Sequence, residues 1–350
     1  MTEKILVFGA GVSGLTTALV LLDKGYKDVT VIGQYIPGDK TVAYTSPWAG
    51  ASILSFASSQ DHRLRAIDTD THKVFKHLAD NVPESSVKHC PGIEYRDDTD
   101  PEGEDSLWVR ELYREFEEIP KKDLPQGTAF GFRYKTYVLS VPLYLDWLVQ
   151  QITQRGGRVL RDRPYESLQD AIDAYRCDIL INCSGNGAKT LTDVRDTNMY
   201  TVRGQTVLVE APHIMTQYYR DGEDGKTTYI IPRGDGTVIC GGTMDTENFD
   251  LNPDPAISER ILRNCYKLAP EINHHKGVEA YKILSYNVGF RPGRKGGIRI
   301  EKELRVNAKD GKKVTIIHNY GHSSHGYQSS WGASQRVLKL LEDTNLVAKL

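Results

Sequence analysis

The sequence predicts an α/β fold, α+β overall, in which a Rossmann-like dinucleotide-binding domain is interleaved with an antiparallel β-rich second domain. Three observations carry this expectation. A short apolar run near the start leads into spaced glycines and an amphipathic stretch. Two more apolar runs far downstream have the unbroken character of parallel strands covered on both faces. Between those two lie short β-branched runs separated by turn residues, the texture of an antiparallel sheet.

Length and charge set the outer limits. At 350 residues the chain exceeds one typical domain, and two are expected. A hydrophobic fraction of 39% with 26% charged residues excludes a disordered chain, and 31 glycines without a three-residue period exclude collagen. The 44 Lys+Arg against 46 Asp+Glu give a net charge of −2, which argues against a nucleic-acid partner. Mean hydropathy is −0.45 and no apolar run reaches the roughly 18 residues of a membrane span, so no membrane partner is expected. Met1-Thr2-Glu3-Lys4 runs directly into the first apolar segment, unlike a secretory signal, and export is not expected. Cys90, Cys177, Cys183, Cys240 and Cys265 lack CxxC spacing, so separate reduced thiols are expected rather than a metal site or a disulfide framework.

Taken in order, Lys4 to Phe8 reads as the first buried strand, ending at Gly9. Val12, Leu15, Leu19 and Leu22 repeat at helical spacing, and Lys24-Gly25 supplies a basic last turn and a left-handed stop. Asp28 to Ile32 completes a βαβ unit; Asp178 to Asn182 and Val314 to His318 are expected to return to the same sheet. Thr206 to Val209, Thr228 to Ile231 and Thr237 to Gly241 read as strands of the second domain, with a hairpin at Asp235-Gly236. Residues 97 to 105 read as an exposed connection and Gly222 to Gly225 as a loop tip.

Gly9, Gly11 and Gly14 satisfy GxGxxG between a strand and a helix. The first permits the turn, the second lets backbone approach a pyrophosphate, and the third brings helix and strand together, while the helix N-terminus favours the anion. A carboxylate for the adenosine ribose is missing at the end of the second strand, where Gly33 and Gln34 stand, so the contact falls to Gln34 or elsewhere. The glycines alone do not separate FAD from NAD, and an NAD-dependent dehydrogenase and a non-catalytic dinucleotide sensor are both open on this basis.

Five further segments occur in order: Thr45-Ser46-Pro47-Trp48-Ala49-Gly50-Ala51, Arg203-Gly204-Gln205-Thr206, Tyr229-Ile230-Ile231-Pro232-Arg233, Asn287-Val288-Gly289-Phe290-Arg291-Pro292 and His318-Asn319-Tyr320-Gly321. Together they make the chain resemble the D-amino-acid oxidase and D-aspartate oxidase family of FAD enzymes, most nearly a fungal D-aspartate oxidase. The resemblance implies a discontinuous FAD-binding domain over 1–85, 140–200 and 288–350 and a substrate-binding and interface domain over 86–139 and 201–287. It implies FAD contacts from Gly9, Gly11, Val12, Ser13, Gly14, Gln34, Thr45, Ser46, Ala49, Gly50, Gly185, Gly321, Ser323, Ser324, Gly326, Tyr327 and Gln328. Tyr327 and Gln328 match the fungal form of their segment, and the helix after this loop, with Ala333, Val337 and Leu341 as its apolar stripe, would set its positive end against reduced flavin.

The same resemblance implies the chemistry. Hydride leaves the α-carbon of a D-amino acid for flavin N5, the imino acid hydrolyses to a 2-oxo acid and ammonia, and O2 is reduced to hydrogen peroxide. Such a transfer needs orientation and electrostatics and no acid or base from the protein. Tyr229 and Arg291 match the family's α-carboxylate donors, a phenol and a planar guanidinium. Tyr218-Tyr219-Arg220-Asp221-Gly222 resembles the D-aspartate oxidase lid, where Arg220 would meet a side-chain carboxylate; Ser324, His325 and Arg65 are secondary substrate candidates. Tyr218 and Tyr219 keep open a preference for neutral D-amino acids, because aromatic rings can wall an apolar pocket. A homo-oligomer is a family expectation. Ala348-Lys349-Leu350 resembles a peroxisomal address, so a peroxisomal import receptor is an expected partner and the peroxisomal matrix the expected location.

Overall fold

The computed structural model describes residues 3–97, 108–222, 226–307 and 309–347. The expected connection at 97–105 and loop tip at 222–225 fall mostly outside these residues, and Ala348-Lys349-Leu350 lies wholly outside them. In chain order the strands are β1 (Lys4–Phe8), β2 (Asp28–Gly33), β3 (Val87–Arg96), β4 (Arg114–Glu118), β5 (Phe130–Leu139), β6 (Arg158–Arg161) and β7 (Ile179–Asn182). They continue with β8 (Met199–Glu210), β9 (Gln217–Asp221), β10 (Thr227–Pro232), β11 (Thr237–Gly241), β12 (Ile283–Arg294), β13 (Arg299–Val306) and β14 (Lys313–Tyr320). The helices are α1 (Val12–Lys24), α2 (His62–Asn81), α3 (Val109–Leu112), α4 (Val141–Gln154), α5 (Leu168–Tyr175), α6 (Pro255–Leu268) and α7 (Ser330–Val347).

The chain forms two compact units, one from Met1–Pro47, Leu145–Val202 and Phe290–Leu350, the other from Trp48–Tyr144 and Arg203–Gly289. Residues 48–85, grouped by the sequence reading with the nucleotide-binding segments, pack in the second unit. The apolar face of α2 explains this: Phe75 lies 5.8 Å, centroid to centroid, from the Tyr144 ring, and His72 lies 4.8 Å from Tyr137 of β5. Burial alone pushes the His72 imidazole down to about 4.

In the first unit the sheet order is β13-β14-β7-β1-β2-β6. The neighbours β14, β7, β1, β2 and β6 pair in parallel, and β13 adds an antiparallel edge. β1 and β7 are unbroken apolar runs because helices cover both faces: Leu6, Ile32, Leu180 and Ile316 pack with Leu168, Ala171 and Ile172 of α5. On the opposite face α1 and α7 lie together, with Thr17 Oγ1 2.9 Å from Ser334 Oγ. The Lys24-Gly25 stop forms as expected: Gly25 has φ 106° and its N–H donates to the carbonyls of Leu21 and Leu22. β1 has β2 on one side and β7 on the other, so the crossovers diverge at its C-terminal end, the position at which open α/β sheets bind ligands.

The second unit holds most of an eight-stranded sheet, ordered β12-β8-β11-β10-β9-β3-β5-β4; β8 and β12 continue into the first unit. The β9–β10, β10–β11, β8–β11, β3–β5 and β4–β5 pairs are antiparallel, but β3 and β9 pair in parallel, so the sheet is mixed rather than wholly antiparallel. The expected hairpin joins β10 to β11, with Gly236 at φ 91° and the Thr237 N–H donating to Asp235 Oδ1 at 2.9 Å. α6 covers one face: Ile261, Leu262 and Cys265 pack on Val207, Val209, Ile230, Val238 and Cys240. All five cysteines are buried free thiols. Among the described residues no helix is long and apolar enough to cross a membrane.

An added Cβ on Gly14 would overlap the Gly9 carbonyl oxygen. Gly14→Ala should therefore push α1 away from β1 and cost about 3 kcal/mol or more, read as a lowered urea midpoint with unchanged slope.

Candidate active site

The first site element is a backbone cradle at the C-terminal ends of β1, β7 and β14. Gly9 has φ +114°, and a Cβ there would overlap the Cys183 carbonyl. Gly11 is the N-cap of α1, with no side-chain cap and no acidic residue in the first turn. Instead the Val12 N–H donates to Ser46 Oγ at 3.0 Å, and a Cβ on Gly11 would come within 2.9 Å of that oxygen. Tyr327 donates to the Ser46 carbonyl at 2.9 Å, and Thr45 Oγ1 to the Phe290 carbonyl at 2.6 Å. Three segments distant in sequence thus meet at the start of α1. Gly185, at φ +56°, follows β7, and a Cβ added there would lie 3.9 Å from the Pro292 ring. Gln34 stands exposed after β2, its amide donating to the Tyr35 hydroxyl at 3.1 Å.

The loop before α7 is held from below. His322 contacts Asn319 Oδ1 at 3.1 Å through Nε2 and Ser329 Oγ at 2.8 Å through Nδ1, while Asn319 Nδ2 donates to Thr17 Oγ1 at 3.1 Å. This chain of polar contacts ties β14, α1 and α7 together. Burial, with some help from His325, pushes the His322 imidazole down to about 4. His325 is also held near about 4, by burial first and the Arg291 guanidinium second, so it is a neutral imidazole at physiological pH. Gly321 (φ 86°) and Ser323 (φ 52°) adopt left-handed backbone, Ser324 is exposed, and Gly326 places its α-carbon close to Val12. Gln328 is buried, and its Nε2 has no hydrogen-bond partner among the described residues; the same is true of Ser184 Oγ after β7. A buried orphan donor is costly unless a ligand completes it.

The second unit supplies Tyr229, on the face of the sheet turned away from α6. Its ring lies over Gly241 and Gly242, where an added Cβ at either position would overlap ring or hydroxyl atoms. These two glycines were not singled out in the sequence; the Cys240-Gly241-Gly242-Thr243 run was their only trace. Register places Tyr219 directly beside Tyr229, and Phe56 packs 6.0 Å from the Tyr219 ring. Arg220 pairs with Thr228 and Tyr95, one residue out of step, and so lies on the α6 face with Tyr218. There its Nε donates to Asp97 at 2.7 Å, while Tyr218 donates to Glu271 at 2.6 Å. The structure therefore does not bring Arg220 to the side of the sheet that carries Tyr229, because side chains alternate along β9. Arg65 is occupied over the Trp108 ring at 4.9 Å and by the Ser59 carbonyl at 3.0 Å.

Two motif arginines turn out to be braces. Arg233 is buried and donates to the carbonyls of Ala49, at 2.7 Å, and Gly50. Ala49 and Gly50 thus belong to the second unit, whereas Thr45 and Ser46 belong to the first. Arg203, also buried, donates to the Asp250 carbonyl at 2.7 Å and the Asn252 carbonyl at 2.6 Å.

A glycine cradle at the switch point of a parallel sheet, two adjoining helix N-termini and unsatisfied buried donors fit a large anionic dinucleotide, and define a dinucleotide-binding protein. Residues 4–340 match the family described as DAO, FAD dependent oxidoreductase, and the chain belongs to that family. It is 36% identical over 330 residues to the D-amino-acid oxidase of Schizosaccharomyces pombe, covering 94% of this chain and 93% of that protein. It is 32% identical over 368 residues to the D-aspartate oxidase of Talaromyces thermophilus, covering 97% and 95%. Glycine oxidase from Geobacillus kaustophilus has a similar fold, with a TM-score of 0.75 at 17% identity over 97% of this chain and 95% of that one. The enzyme is FAD-dependent.

The buried imidazoles make acid stability a direct readout. An imidazole near its ordinary value of 6.5 in the unfolded chain but held at about 4 in the fold leaves the unfolded state binding more protons between those values. Stability should then fall as pH drops from 6.5 to 4, by on the order of 3 kcal/mol for His322 alone. Urea unfolding at stepped pH should show a shallower decline in His322→Gln.

Proposed function

We propose that the enzyme oxidatively deaminates D-amino acids, acidic ones such as D-aspartate and D-glutamate in particular, to 2-oxo acid, ammonia and hydrogen peroxide. The relatives named D-amino-acid oxidase and D-aspartate oxidase support the reaction. The observation that carries the reading to this chain is Tyr229, a phenol seated on paired glycines on the face of its sheet turned away from α6. FAD, when bound, accepts the hydrogen and electron pair from the substrate α-carbon and passes them to O2.

The protein's own work is binding and orientation. Gly9, Gly11, Val12, Ser13 and Gly14 would cradle the pyrophosphate, with Thr45, Ser46 and Gly185 beside it and Gln34 toward the ribose. Gly321, Ser323, Ser324, Gly326, Tyr327 and Gln328 would face the flavin, and the Gln328 amide has the unfilled donor such a contact needs. Tyr229 and Arg291 would donate to the substrate α-carboxylate, the guanidinium through two parallel N–H bonds. No base is required at the α-carbon, because a hydride departs with its electrons.

An acidic side chain requires a second cation, and strands β3 and β9 carry Lys88, Arg96 and Arg220. A preference for neutral D-amino acids is favoured by a different observation, the Tyr219 and Phe56 rings on the Tyr229 face. Peroxide formation from D-aspartate, D-glutamate, D-alanine, D-proline and their L-enantiomers decides among these. D-specific turnover with D-aspartate ahead of D-alanine is expected. Turnover of L-enantiomers only, or of none, overturns the proposal, and D-alanine ahead of D-aspartate selects the neutral reading. Arg291→Met should lower kcat/KM for every D-substrate by on the order of 100-fold while the flavin absorbance remains. Peroxisomal import through Ala348-Lys349-Leu350 is part of the same proposal: a fluorescent protein fused after Leu350 should leave the enzyme cytosolic.

A further inference from the structure

We propose that Arg233, just past the end of β10, is a positioning residue for the flavin: by holding the Ala49 and Gly50 carbonyls it aims the backbone N–H groups of Gly50 and Ala51 at acceptor atoms of the isoalloxazine, at a set distance from Tyr229. The proposal rests on the FAD contacts expected at Ala49 and Gly50 and on the substrate placement at Tyr229 given above.

The peptide planes carry the argument. Arg233 is buried, and its guanidinium donates to the Ala49 carbonyl from Nη2 at 2.7 Å and to the Gly50 carbonyl from Nε. Two donors of one planar fork thus fix two successive carbonyls. Across the trans Ala49–Gly50 peptide the N–H points opposite to the carbonyl, so the Gly50 N–H is turned away from Arg233. The same grip sets the plane of the peptide that carries the Ala51 N–H. Among the described residues neither the Gly50 N–H nor the Ala51 N–H has a hydrogen-bond partner. Ala51 is buried, and a buried backbone donor is rarely left without a partner unless a ligand completes it.

Packing ties these donors to the strand that carries the substrate phenol. Tyr229 and Ile231 stand two residues apart on β10, share the face turned away from α6 and lie about 7 Å apart along the strand. Gly50 rests directly on Ile231, where an added Cβ would come within 2.6 Å of Cδ1. On its other side the segment is fastened to β5: the Leu139 N–H donates to the Ala51 carbonyl at 3.2 Å, and the Ile53 N–H to the Tyr137 carbonyl at 2.9 Å. The Arg233 backbone is itself anchored, its N–H donating to the Thr237 carbonyl at 2.9 Å. Its charge is met within range by Asp235, whose carboxylate also accepts from the Ser140 and Thr237 hydroxyls. Arg233 therefore takes no ligand of its own and acts through the donors it orients.

The test uses the full-length holoenzyme with Arg233→Met, Arg233→Lys and, as a matched control, Arg203→Lys, at a second buried arginine that holds the Asp250 and Asn252 carbonyls instead. Arg233→Lys keeps the charge near Asp235 but loses the two-donor fork, so it keeps the test available if Arg233→Met fails to fold. Measured are FAD affinity by titration of the apoprotein, the visible bands and midpoint potential of the bound flavin, the urea midpoint, and the rate at which D-aspartate and D-alanine bleach the flavin anaerobically. We expect both Arg233 variants to bind FAD at least about 10-fold more weakly, to shift the flavin bands and to lower its potential, because aimed N–H donors favour the electron-rich reduced ring. Bleaching should slow by on the order of 100-fold for both substrates alike, with the half-saturating concentration changed less than about threefold, since the carboxylate donors stay in place. Arg203→Lys should lower the urea midpoint while FAD affinity, flavin bands and potential stay as in the wild type. Flavin properties that do not move in Arg233→Lys, or that move equally in Arg203→Lys, would overturn the assignment. These readouts need no substrate, so they decide on Arg233 even where D-amino acids fail to bleach the wild-type enzyme, an outcome that overturns the substrate reading instead.

Discussion

The first unit depends on backbone touching backbone around Gly9. The α-carbon of Gly14 sits against the Gly9 carbonyl, and the α-carbon of Gly9 against the Cys183 carbonyl, so α1, β1 and β7 meet with no side chain between them. Every later feature of that unit needs this closeness. Only because α1 begins flush with the sheet edge can Val12 reach the Ser46 hydroxyl from its N–H, and only then does Tyr327 close over the Ser46 carbonyl. The Thr17, Asn319 and His322 contacts carry the same registration to α7, so two helix N-termini are fixed at one edge without a charged residue among those side chains. Helix dipoles are weak individually, and a desolvated edge is where two of them count.

In the second unit the equivalent constraint is the two-residue alternation of a sheet with α6 on one side. Ile230, Cys240 and Val207 are aligned neighbours and go under α6, which obliges Tyr229 and Gly241 to face the other way. The paired glycines then make the surface flat enough for the tyrosine ring to lie on it. Packing on one face thereby fixes chemistry on the other, and Arg203 and Arg233 spend their guanidiniums holding carbonyls rather than ligands.

Legibility in the sequence follows the same physics. The glycine cradle, the Lys24-Gly25 stop and the Asp235-Gly236 hairpin were readable because each is a local backbone demand met by residue type. β3 was not, because Pro91 and Gly92 interrupt any strand pattern, and Glu94 and Arg96 alternate charge toward a buried face. β13 was hidden by Arg299, Glu301, Glu303 and Arg305, the charged side chains of an edge strand. The placement of 48–85 failed for a further reason: the apolar stripe of α2 says that it packs and not on which sheet. Arg220 shows the limit most sharply, since a motif can rank an arginine by its neighbours, whereas the face it occupies depends on register, and a shift of one residue reverses it.

Charge in the site regions is carried by guanidiniums and not by imidazoles. Burial and the neighbouring Arg291 hold His325 near about 4, and burial holds His322 there too, so neither ring is a cation above pH 5. A protonated His325 beside Arg291 would place two positive charges together, a costly arrangement that the neutral ring avoids. Arginine keeps its charge throughout the neutral range and offers a planar fork that a carboxylate matches. With the charge on Arg291 and the neutral rings on His322 and His325, the first unit separates two functions that histidine alone would have mixed: a fixed positive charge, and hydrogen bonding that does not alter the field.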